Sequence, residues 1–139
     1  RAGGGGQVKA FTVYQPYAYA IVAGLKGYET RPRRTHIRGR VAVHAGKGNP
    51  QFVSMPVSIA LPESAVLHYG AVLGTVEIVD CVPVEALIGK LSERERVLGD
   101  YRPGRFAWAL KNPVMFDRPI PARGFQGWWN WEDGGEYEQ

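Results

Sequence analysis

The apolar positions of this chain change period several times, and each change marks an element. From Val8 to Tyr14 they alternate loosely among Val, Phe, Thr and Tyr, which predicts a first strand. Pro16 follows where a helix can start, because its fixed φ and missing N–H are tolerated in the first turn. Tyr17, Ala20, Ile21 and Gly24 then fall on one face at three- and four-residue spacing. That predicts a short helix of about three turns, stopped by Gly24 or Gly27. Residues 26–34 read as a loop or irregular strand, with Pro32 biasing Arg31 away from helix. Arg40 to Ala45 alternates as a strand, placing Val41 and Val43 on one face and Ala42 and His44 on the other. The stretch 46–70 contains three prolines and predicts a long connection with one helical turn.

Strand character returns from Ala71 to Val82 and stops at Pro83. Residues 84–98 predict helix in two pieces. In the second, Ser92 and Glu95 have the spacing of a capping box, where each side chain satisfies a backbone N–H of the first turn. Arg105 to Lys111 alternates cleanly as a strand, Asn112-Pro113 reads as a turn, and 114–121 reads as an edge strand because Pro119 and Pro121 cannot donate to a ladder. Phe125 to Trp131 is dense in aromatics. It predicts a final strand closing a small barrel, or a platform on which bases stack. Trp128 and Trp129 point to opposite faces, so only one of them, Trp128 in the binding reading, faces a ligand. Many short strands with Gly/Pro turns and two short helices make this an α+β fold built on a small β-barrel.

Composition narrows the class. At 139 residues and 45% apolar content, the chain makes one domain with a core. The expected division is a flexible leader over 1–7, where Gly3 to Gly6 has nothing to pack, a single domain over 8–131, and an acidic tail over 132–139. No apolar run approaches the roughly 20 residues needed to span a bilayer, so no membrane partner is expected. The single cysteine, Cys81, excludes an internal disulfide and a cysteine-rich metal site, and fits a reducing, cytoplasmic setting. No metal or cofactor is expected: the three histidines have no ligand spacing, and no phosphate-loop or nucleophile-elbow pattern is present.

Charge is uneven. Residues 1–50 hold nine Lys/Arg against one acid, Glu29, whereas residues 51–139 hold eight against twelve. Five of the basic residues lie between Arg31 and Arg40. A one-sided basic cluster is the footprint of a phosphate-bearing partner, or a solvated face. Lys26, Glu29 and Arg31 directly follow the first helix. The lysine and glutamate could exchange protons if burial shifts them, or form a salt bridge that fixes the loop. Arginine's planar fork suits phosphates and base edges, although Arg31, Arg33, Arg34, Arg38 and Arg40 cannot all face one groove. His44 is either a satisfied, partly buried residue or a site group. Glu77 is either a cleft carboxylate or an outward strand residue.

Taken in order, Gln15-Pro16-x-Ala18, Gly24-x-Lys26-x-x-Glu29-x-Arg31, Arg38-Gly39-Arg40 and His44-Ala45 resemble the ASCH domain (activating signal cointegrator homology). So do Gly74 to Cys81, Trp108-Ala109-Leu110 and the segment from Pro121 to Trp128. The resemblance spans roughly residues 8–131 and implies a PUA-like β-barrel flanked by short helices. It implies a role with RNA or DNA, and a cleft lined by Gln15, Lys26, Glu29, Arg31 and His44 with Lys47 at its mouth. Some members of the superfamily hydrolyse acetylcytidine and similar amides, some cleave RNA, and others only bind. The amidohydrolases use a lysine and a threonine three residues apart with a distant glutamate. Lys26 matches the lysine, Glu29 stands at the threonine position with Thr30 beside it, and Glu77 is the candidate for the distant glutamate.

The expectation is therefore a nucleic-acid-binding protein, RNA first, using Gln15, Lys26, Arg31, Arg33, Arg34, Arg38, His44, Lys47 and Trp128. The alternative is an enzyme, an amidohydrolase on a modified nucleoside or a ribonuclease, with Lys26 and Glu29 as the catalytic pair. A third reading is a small-molecule or protein-interaction domain whose basic face only solubilises it.

Overall fold

β-Branched and aromatic residues at alternating positions build the frame of the computed structural model, which describes residues 7–48 and 60–132. In chain order it runs β1 (Gln7–Val13), α1 (Tyr17–Val22), β2 (Tyr28–Arg31), β3 (Gly39–Ala45), β4 (Ala71–Pro83), a 3-10 turn (Val84–Leu87), α2 (Glu93–Val97), β5 (Phe106–Pro121) and β6 (Trp129–Glu132). The six strands form one sheet in the order β2-β5-β4-β3-β1-β6. All neighbours are antiparallel except β1 and β3, which run parallel. The chain returns from β1 to β3 through α1 and β2, the crossover that a parallel pair requires.

The sheet is curved and open. No ladder joins β2 to β6 among the described strands, so the expected closed barrel is a half-barrel. Side chains do what the missing ladder would do. Arg31, on edge strand β2, donates from Nη2 to the Thr12 carbonyl of β1 at 2.9 Å. Trp108 Nε1 donates to the Arg33 carbonyl at 3.1 Å, and Trp128 Nε1 to Thr35 Oγ1 at 3.2 Å, so the segment after β2 lies across the opening.

The larger core fills the concave side with Phe11, Ile21, Val41, Val43, Val76, Ile78 and Trp108. A second core on the other face gathers Ala10, Ala42, Val72, Phe116 and Trp131. The alternation expected for β3 divides as predicted, Val41 and Val43 into one core and Ala42 into the other.

Three expectations shift. α1 has six residues rather than three turns, and Gly24 at φ +80° follows it closely. The two strands expected on either side of Asn112-Pro113 are one 16-residue strand. Asn112 takes φ +52°, and the register against β4 slips between Thr75 and Glu77, so the turn signal produces a bulge. The second half of β5 pairs only with β4, which is where Pro119 and Pro121 are tolerated. Finally, Gln7 and Glu132 are paired strand residues, so β1 starts and β6 ends one residue outside the expected strands. The leader over 1–6 and the tail over 133–139 lie outside the described residues, as does 49–59 of the predicted long connection. Residues 60–70 carry neither helix nor strand.

Candidate functional site

An open cleft runs along the C-terminal end of β1, between β2 on one side and the segments after β3 and β5 on the other. At its floor are Lys26, Glu29 and Arg31. α1 fixes this group: the N–H groups of Leu25 and Lys26 both donate to the Ala20 carbonyl, wrapping the chain round the helix end. The Gly27 N–H then donates to both carboxylate oxygens of Glu95, each at 3.0 Å. Ser92 does cap α2 by accepting from the Glu95 N–H at 3.1 Å. The glutamate half of the predicted capping box instead anchors the loop that carries Lys26.

The Lys26 side chain is 3% exposed. Its Nζ donates to the Leu98 carbonyl at 2.7 Å and lies 3.9 Å from Glu29 Oε1, beyond hydrogen-bond reach. An ammonium has three donors. Only one is bonded among the described residues, leaving capacity at the cleft floor. Burial pushes the Lys26 ammonium below its ordinary range, opposed by the charges of Glu29 and Glu95. Glu29's close partner is Arg31, whose Nε donates to Oε2 at 2.6 Å. The guanidinium also lies 5.6 Å from the centre of the Phe11 ring and 5.5 Å from that of Trp108. Arg31 is thus held by a carboxylate, a carbonyl and two rings, which makes it a fixed charge.

On the opposite wall, His44 is 2% exposed. Its Nε2 lies 2.7 Å from the Ala122 carbonyl, which can only accept, so Nε2 carries the proton and Nδ1 accepts from Thr12 Oγ1 at 3.2 Å. Trp129 Nε1 donates to the same hydroxyl, at 3.2 Å. A methyl group at Gly124 would stand 2.5 Å from His44 Cε1, so only glycine lets the backbone pass here. Burial holds the imidazole below its ordinary 6.5. The unfolded chain therefore binds a proton as pH falls through that value while the folded protein resists it, so the stability contribution is present above 6.5 and is lost on acidification towards the folded-state pKa. The denaturation midpoint is expected to fall between about pH 7 and pH 5. In a His44→Gln protein that part of the fall disappears. An unchanged pH profile in the variant would exclude His44 as its source.

The remaining predicted residues divide. Arg33 and Lys47 line the cleft with Lys26, Arg31 and His44. Gln15 does not: it is 2% exposed, with Oε1 accepting from the Tyr19 N–H and Nε2 donating to the His68 carbonyl, both at 2.8 Å. Arg34 lies over the Phe106 ring at 4.5 Å, and Arg38 is bonded to the carbonyls of Thr35 and Ile37 in its own loop. Trp128 is outside the cleft lining. Its ring stacks on Trp108 at 5.4 Å and packs against the main core, so its role here is in the core. Glu77 is not a cleft carboxylate either. It pairs with Arg40 at 3.0 Å and accepts from Asn112, bracing the β5 bulge.

Sequence reasoning missed the cleft rim after α2, where Asp100, Arg102 and Arg105 form a charged cluster. It also missed Tyr101, whose hydroxyl is buried without a partner among the described residues. Burial, with Glu95, Tyr28 and Glu29 nearby, raises its pKa. Across the lining as a whole, seven Lys/Arg face two carboxylates, Glu29 and Asp100. Among the described residues no cluster of His, Cys, Asp and Glu could hold a metal, and no helix is long and apolar enough to cross a membrane.

An open PUA-like half-barrel with a buried lysine, a glutamate and an arginine in one cleft defines the class. The family model of the ASCH domain matches residues 11–120, and the chain belongs to that family. The fold is similar to the crystal structure of an ASCH protein from Zymomonas mobilis, with TM-score 0.51 and 22% identity over 81% of this chain and 72% of that one. A tyrosine-to-phenylalanine mutant of the same protein gives 0.50 and 21% over 81% and 74%. At that identity the likeness concerns the fold alone. No curated protein sequence gives a significant match.

Proposed function

We propose that this ASCH protein binds nucleic acid, RNA in the first place, in the cleft above Lys26, Glu29 and Arg31. The observation that carries this reading is the charge of the lining, seven Lys/Arg against two carboxylates. Arg31 is spent on internal partners, and Arg102 and Arg105 share Asp100. Arg33 and Lys47 at the rim supply phosphate contacts, and Lys26 supplies donors at the floor.

Phosphate contacts release counterions, so affinity falls steeply with salt. With about three contacts on a single strand, the slope of log K against log salt is expected to be about −2. Arg33→Ala and Lys47→Ala each lower its magnitude by somewhat under 1. Anisotropy titrations of a labelled oligonucleotide at several salt concentrations measure both. No binding at low ionic strength defeats the reading.

One observation favours a second reading, hydrolysis of a modified nucleoside or of RNA. Burial makes Lys26 easier to deprotonate beside a carboxylate on the cleft floor, an environment that suits acid–base work. Turnover of acetylcytidine or labelled RNA by the wild type, lost in Lys26→Met, would establish it. No turnover of either by folded protein excludes it.

A further inference from the structure

Two large rings stand exposed in the cleft, and the internal packing does not account for either exposure. Tyr14 and Phe125 are each 51% exposed, and both line it. A single exposed aromatic is common on protein surfaces. These two share one wall. Thr12 and Tyr14 project to the same face of the chain as β1 ends. Thr12 Oγ1 lies 3.3 Å from the Phe125 carbonyl, so its one hydroxyl proton is shared between that oxygen and His44 Nδ1. A methyl group at Gly46 would touch Thr12 Cγ2 at 3.0 Å and Tyr14 Cδ1 at 3.8 Å, so the wall runs continuously from Phe125 through Thr12 to Tyr14.

Both rings are braced. Phe125 meets Trp129 edge-on at 5.4 Å, and the Arg123 guanidinium lies 5.4 Å from its centre. Tyr14 lies against Gly46 and Gly48, and a methyl group added at Gly48 would stand 3.1 Å from Tyr14 Cε1. Lys47, between those glycines, is exposed and also lines the cleft. Two exposed rings flanked by cations on one wall form the arrangement that holds a single strand, with phosphates on the charges and bases on the rings. A duplex hides its base faces and cannot use the rings.

We infer that the cleft takes an unpaired strand whose bases stack on Phe125 and Tyr14. This rests on the nucleic-acid reading above and narrows it to single strands. RNA and DNA strands share the chemistry, and the experiment separates them.

The test measures anisotropy with a labelled 12-mer as single-stranded RNA, as the same sequence in DNA, as duplex, and with abasic positions at its centre. The proteins are wild type, Phe125→Leu and Tyr14→Ala, each checked for an unchanged melting temperature. Phe125→Leu keeps apolar volume without the aromatic face, so it remains informative if a smaller residue fails to fold. Each substitution is expected to weaken single-strand binding roughly tenfold with the salt slope unchanged. Duplex binding is weaker and insensitive to both, and abasic strands lose the same factor and no longer respond to Phe125→Leu. Salt-dependent binding that ignores both substitutions and the missing bases overturns stacking while leaving the proposed function standing. No binding of any form overturns both.

Discussion

A Glu29→Ala protein is expected to be about 4 kcal/mol less stable than wild type, and Glu29→Gln about half as much. The carboxylate stands between two cations, with Arg31 Nε at 2.6 Å and Lys26 Nζ at 3.9 Å. Removing it leaves two like charges facing each other in a site where water cannot compensate fully. Glutamine keeps an acceptor for Arg31 and loses only the charge. Lys26→Met behaves differently. The Lys26 ammonium is disfavoured by burial, so replacing it with an apolar chain of similar length removes a desolvation cost and offsets the lost bond to Leu98. Its stability is expected within about 1 kcal/mol of wild type. The double variant Glu29→Gln/Lys26→Met should recover part of the Glu29→Gln loss, because one of the stranded cations is gone. Urea denaturation with unchanged m-values measures the cycle. A Glu29→Ala protein as stable as wild type would show that the three charges are not coupled.

The second large effect is steric. Gly74→Ala is expected to cost about 3 kcal/mol or more. An added methyl group at Gly74 would stand 1.9 Å from the Val114 carbonyl oxygen, a backbone atom that cannot rotate away. The β4–β5 register slips beside this residue, between Val72 and Gly74, so the two backbones close up where the side chain is missing. Gly39→Ala is the control. Gly39 has φ +96° with nothing within 4 Å of an added methyl group, so only backbone strain applies, about 1 kcal/mol. Thermal or urea unfolding of both variants separates the terms. Equal losses in the two would mean that β5 moves aside at Gly74.

The parts of this structure that were legible from sequence are those where one local signal decides. Strand-type composition and patterning gave β1, β3 and β4 to within about a residue because their faces enter two separate cores. Gly24 marked the end of α1 because a positive φ there is a local requirement. Asn112-Pro113 misled because the same residues that turn a chain also make a bulge, and only the partner strand decides between them. Lys26, Glu29 and Arg31 stood out as a set directly after the first helix, where spacing alone favoured a salt bridge and the ordered match to a family pattern pointed to a cleft; the three do line one. Gln15 matched the same pattern, yet its amide is consumed at the start of α1. Asp100, Arg102 and Arg105 reach the cleft only because the loop after α2 packs beside β2, a long-range event that leaves no periodic trace. Glu95 was assigned to its own helix because a capping box is local, whereas its bond to Gly27 spans 68 positions.

β5 belongs to both sides of the cleft. Its first half pairs with β2, where Trp108 lies opposite Glu29 and Phe106 opposite Arg31. Its far end leads directly into Ala122, whose carbonyl receives His44. The distance between the charged wall and the histidine wall is therefore written into the course of one strand. Asn112 lies between the two halves, clamped by Arg40 and Glu77. The spacing of the two walls therefore depends on the course of β5 at Asn112, a residue that lines neither of them.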